Sequence, residues 1–71
     1  MKKLFVVLVE DFGAGYLEST EVFHIKALEK TNAIEHVKHI FKKLYEFEED
    51  VIEENLDFIA FELTDDNIIE I

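Results

Sequence analysis

The chain contains no cysteine, no proline and no arginine, and only two glycines. Without cysteine there is no disulfide framework and no thiolate zinc site, and a reducing compartment suits it. Without arginine all seven cations are lysines. Arginine is the usual bidentate reader of phosphate and guanine, so direct nucleic-acid binding and chemistry on phosphorylated substrates are both disfavoured. Long hydrophobic runs are also missing. The longest near the start, LFVVLV at residues 4–9, stops at Glu10 and Asp11. It is shorter than the ~7–15 residues of a secretory signal core and far short of the ~20 needed to span a membrane. A buried strand explains it better, and the reading is a soluble, cytoplasmic protein with no membrane role. Ser19 is the only serine, so no nucleophile–base pair can be assembled. No catalytic residue, cofactor or metal site is expected.

What remains is apolar enough to fold. Hydrophobic residues make up 49% of the 71-residue chain, which suffices for one compact domain over residues 1–71. A chain of this size buries only ~60% of its unfolded surface, so its stability margin is thin. Residues 2–10 are apolar on both faces, with Leu4, Val6 and Leu8 on one and Phe5, Val7 and Val9 on the other. That pattern predicts a central strand. Residues 19–27 alternate, with Phe23, Ile25 and Ala27 opposite Val22, His24 and Lys26, as in a half-buried strand. Asn32 with Glu35 three residues on resembles a capping box. From there Ala33, Ile34, Val37, Ile40, Phe41, Leu44 and Tyr45 recur at helical spacing, which predicts an amphipathic helix. Were the helix to run on past Phe47, Glu48 and Asn55 would enter its apolar arc. A break near residues 46–49 is therefore expected, followed by a short acidic helical turn with Val51, Ile52 and Leu56 inward. Residues 57–63 predict a third strand with Ile59, Phe61 and Leu63 toward the core. TDDN is turn chemistry, and the terminal IIEI suits a short fourth strand.

The order β-β-α-β, with an optional fourth strand, gives a two-layer α+β fold. Its antiparallel sheet has the apolar first strand between the second and third, and the helix packs on one face. One sheet face is left over. On this reading it carries Val22, His24, Phe58 and Ala60 beside one row of the first strand, which is more apolar surface than a small monomer usually exposes. A homodimer through that face is one expectation.

Candidate chemistry is sparse. His36 and His39 lie i, i+3 on the helix and His24 lies on a strand, short of the three or four converging ligands that zinc takes. Glu10 and Asp11, where a strand becomes a glycine-containing loop, are carboxylates placed as acid–base groups would be; a hairpin loop is the plainer reading. A metal-assisted enzyme using these residues is the third expectation.

The strongest signal is charge. Residues 1–45 hold seven lysines against six acids, a balance of +1. Residues 46–71 hold eleven acids and no base, a balance of −11, which together give the net −10. Solubility alone is the plain reading, but it asks only for a net charge of ~2–8 with the signs interspersed. The sharper reading is a negative docking surface for a basic partner protein, in its strongest form a DNA mimic that occupies a nucleic-acid-binding groove. Glu46, Glu48, Glu49, Asp50, Glu53, Glu54 and Asp57 would make the contact, with Asp65, Asp66 and Glu70 extending it. In kind, this small, acidic, arginine-free chain rich in Lys, Ile, Phe and Glu resembles the accessory proteins of AT-rich bacteriophages. Several of those block host DNA-binding or defence proteins. The resemblance covers no alignable segment and transfers no residue. It implies a non-enzymatic inhibitor that binds a basic protein.

Overall fold

The computed structural model describes residues 1–13 and 15–64. It shows an α+β fold in which a three-stranded antiparallel sheet is covered on one face by two helices. The elements are β1 (Lys3–Asp11), β2 (Glu21–Ala27), α1 (Lys30–Lys43), α2 (Glu49–Asn55) and β3 (Leu56–Glu62). The sheet order is β2-β1-β3, with β1 central as its two-sided apolar pattern requires. Both outer strands run antiparallel to β1, so α1 and α2 carry the chain from one sheet edge to the other. The predicted fourth strand and TDDN turn lie, except for Thr64, outside the described residues.

Phe5, Val7 and Val9 of β1 point toward α1, and register places Phe23 and Ala60 beside Val7 and Phe58 beside Val9. Ala33, Val37 and Phe41, one turn apart on α1, are completely buried against this face. Phe41 is the centre of the core. Its ring meets Tyr45 at 5.0 Å, Phe47 at 5.4 Å, Phe23 at 5.8 Å and Phe58 at 5.9 Å, all in edge-to-face geometry, the arrangement that aromatic quadrupoles favour.

Three local expectations need correction. The helix begins at Lys30, with Glu29 as its N-cap and no side-chain cap. The Ala33 amide already donates to the Glu29 carbonyl at 3.2 Å, so Asn32 and Glu35 lie inside the helix. Regular helix ends at Lys43, and Leu44, the last but one of the apolar stripe, is 74% exposed. The break itself falls where expected. Glu46 adopts a left-handed φ of 58°, and the Tyr45 and Phe47 amides turn back to the Ile40 and Phe41 carbonyls at 3.3 and 3.0 Å.

The third correction is the phase of β3. Phe58 and Ala60 face the helices, not the free side of the sheet, and Ile59 and Phe61 take the free side. Leu56 sets this phase. It is buried at the junction with α2, and a strand alternates strictly from its first inward residue. The small Ala60 then lies under α1 beside Val7, and Glu62, last of the row, is drawn to Lys3 at 3.6 Å.

Candidate functional site

Three regions carry the residues that the sequence singles out. The first is the loop after β1. The two carboxylate oxygens of Asp11 accept hydrogen bonds from the Gly13 and Leu17 amides, each at 2.8 Å. Donation from Leu17, then Gly13, holds the Asp11 carboxyl below its ordinary value. Gly13 and Gly15 both take positive φ, 87° and 83°, which suits residues without Cβ. Asp11 is thus occupied in closing a turn. Glu10 leaves the strand on the opposite sheet face, and both carboxylates border one open groove together with Glu18. Among the described residues no three His, Asp or Glu side chains come together as a metal-binding group. His24 and His36 share one open groove with Lys2 and Lys26, while His39 lies in another beside Glu35 and Lys42.

The second region is the acidic layer. Ile52 anchors α2 in the core, which turns Glu49, Asp50, Glu53 and Glu54 outward. Two of these meet α1. Glu53 takes Lys38 through both carboxylate oxygens at 3.3 Å, and Glu49 takes Lys42 at 3.7 Å. Lys38 also lies over the Phe58 ring at 5.5 Å, fastening α1, α2 and β3 together. Asp50 accepts from the Val51 amide at 3.0 Å. Glu46, Glu48 and Glu54 are exposed. Asp57 is elsewhere, half-buried on the free sheet face directly opposite Glu10. The carboxylates expected as one surface are therefore divided. Some are neutralised by α1, some point to solvent, and one joins the other side of the sheet. Asp65, Asp66 and Glu70 lie outside the described residues.

The third region is that other side of the sheet. Register places Leu4, Val6 and Leu8 of β1 between Val22 and His24 of β2 and Ile59 and Phe61 of β3. Val22 is 51% exposed, Ile59 43% and Phe61 40%, while Val6 in the middle keeps only 8% through its neighbours. Both helices pack on the opposite face, and among the described residues no element crosses this one. Val22 and His24 lie here as the sequence implied. Ile59 and Phe61 replace Phe58 and Ala60. The signal that would have found them is the buried Leu56 just after the acidic turn, since counting in twos from it assigns both rows.

Among the described residues no helix is long and apolar enough to cross a membrane. No family model, no curated protein and no solved structure matches the chain.

Proposed function

We propose that this chain is a non-enzymatic protein-interaction module whose contact surface is the open face of its sheet. One observation carries the reading: Leu4, Val6, Leu8, Val22, Ile59 and Phe61 form a continuous apolar surface on the side away from the helices. A half-solvated antiparallel sheet normally alternates apolar inward with polar outward. A contiguous apolar face on a small chain marks an interaction site. Replacing Phe61 by Asp places a charge on this surface, beside Val6, without touching the helix-covered core. The variant should keep its far-UV circular dichroism and lose its partner in cross-linking and co-purification. Undiminished partner binding by a folded Phe61→Asp chain refutes the reading.

A second reading, docking of a basic partner on the acidic layer, is favoured by Glu46, Glu48 and Glu54. All three are exposed and make no ion pair among the described residues. Complementary charge would speed that encounter and weaken it as salt rises. The combined Glu46/Glu48/Glu54→Lys variant leaves the Lys38 and Lys42 pairs intact and should abolish binding only if this layer is the contact.

A further inference from the structure

We infer that the occupant of the open sheet face is a second copy of the same chain, stacked face to face with its strands reversed. The inference rests on the reading that this face is the contact surface, and it adds the partner and the orientation.

The open row of β1 is Lys2, Leu4, Val6, Leu8 and Glu10. Its apolar centre reads the same in both directions, and its ends carry opposite charge. A two-fold axis lying between two such sheets, running across the strands through Val6, sets Leu4 on the other copy's Leu8. It sets Lys2 on the other copy's Glu10. The outer strands share this centre, because His24 and Phe61 are both in register with Val6. About the same axis Phe61 meets Phe61, Ile59 meets Leu63, and Val22 meets the aliphatic stem of Lys26. The apolar rows of β1 and β3 are thus self-complementary about one line, as an isologous interface requires, while β2 sets His24 against His24.

Charge selects this orientation over the parallel one. At one end of the face Glu10 and Asp57 are direct cross-strand neighbours, a like-charge pair that destabilises a sheet. Neither makes an ion pair among the described residues. At the other end Lys2, His24 and Lys26 border one groove, and neither lysine has an ion-pair partner among the described residues. Eight residue steps at about 3.4 Å separate Lys2 from Glu10 by roughly 27 Å. That is beyond the Debye length of about 8 Å at physiological salt, so the two ends do not relieve one another within a monomer. Reversal lays Glu10 of each copy on Lys2 of the other, twice per dimer. The parallel stack would set acid on acid. Reversal also separates the two acidic helices, because α2 finishes at the acidic end of the sheet, where the Phe12 amide donates to the Asn55 carbonyl at 3.1 Å. Three strands at about 4.8 Å and a length of roughly 27 Å give a footprint of about 390 Å² on each copy, about half that of a standard specific interface, so the contact belongs with weak, transient ones. The dimer accordingly exchanges readily with monomer and is expected only toward the top of a concentration series.

The test is analytical ultracentrifugation of the whole chain over a concentration series at about 0.15 M salt. The expected result is a reversible dimer that Phe61→Asp, or independently Val22→Asp, converts to a folded monomer. Lys2→Glu and Glu10→Lys should each weaken self-association at least about tenfold, and an equimolar mixture of the two should recover the dimer. Strictly monomeric wild-type chain at every concentration overturns the second copy. Dimerisation that appears only on truncation after Thr64 does so too, by making residues 65–71 the occupant. In either case the contact-surface reading stands or falls separately, on whether Phe61→Asp loses a different partner. A dimer indifferent to Phe61→Asp and Val22→Asp overturns both.

Discussion

The helix-covered and open faces of the sheet are made from alternate residues of the same three strands, and both are apolar. Phe5, Val7 and Val9 meet α1 and are buried. Leu4, Val6 and Leu8, one residue out of step, meet only their strand neighbours. Equal hydrophobicity has produced a core on one side and an unfinished surface on the other. The difference lies in what the chain supplies above each face. The covered side receives a helix whose every fourth residue, Ala33, Val37 and Phe41, is apolar and fully buried, ending in a hub at Phe41. The open side receives charges at its two ends. Hydrophobicity alone therefore does not say which face is the core; helix placement does, and the Leu56, Phe58 and Ala60 row of β3 faces it.

The sharpest way to break the comparison is to truncate one residue from each face. Phe41→Ala removes the ring that four others surround and should cost about 3–5 kcal/mol. A 71-residue chain has a total stability of roughly 4–11 kcal/mol, so this variant should lose a large fraction of its stability, read as a marked fall in its urea midpoint. Ile59→Thr on the open face, measured as monomer, should change stability by less than about 1 kcal/mol. Similar costs for the two would mean that the open face is covered within the monomer.

A smaller effect sharpens the account of the covering layer. Glu46 holds a left-handed φ of 58°, where a side chain costs about 1–2 kcal/mol and glycine does not. After the entropy penalty of glycine, Glu46→Gly should raise stability by about 0.5–1 kcal/mol and leave open-face behaviour unchanged. A loss of stability would place the origin of the break elsewhere than in the backbone of this residue.

The smallest effect concerns the boundary between the faces. The Asp11 carboxyl is depressed below 3.8 by amide donation from Leu17 and Gly13. A depressed carboxyl contributes stability that is fully present above its unfolded value and is lost as pH falls through its lower folded value. Wild-type chain should therefore show faster exchange of the Gly13 and Leu17 amides as pH drops below about 4, after correction for the intrinsic rate. Asp11→Asn should lack that step. An identical pH profile in the two proteins would remove Asp11 as the clasp of this loop.

Much of the architecture is legible in residue spacing. The two-sided apolar β1, the alternation of β2 and the four-residue recurrence of Ala33, Val37 and Phe41 specify three elements and their order. The exclusion of Glu48 and Asn55 from an apolar arc locates the helix break. The phase of β3 was not legible from residues 57–63 alone, because DFIAFEL offers two apolar rows and the larger one, Ile59, Phe61 and Leu63, is the row that stays open. Nor was the division of the acidic stretch. The pairing of Glu53 with Lys38 and of Glu49 with Lys42 depends on α2 lying beside α1, a tertiary placement with no counterpart in linear spacing. The open face was legible as an excess of apolar surface; its residues on β3 were not.

The aromatic hub has a spectroscopic consequence. The chain has two tyrosines and no tryptophan. Both phenols border the same cluster, Tyr45 against Phe41 at 5.0 Å and Tyr16 against Phe47 at 6.1 Å. Intrinsic emission should follow the docking of the helical layer and stay silent when two sheets stack. One fluorescence trace and one hydrodynamic trace, recorded on the same dilution series, would separate denaturation from dissociation without any added label.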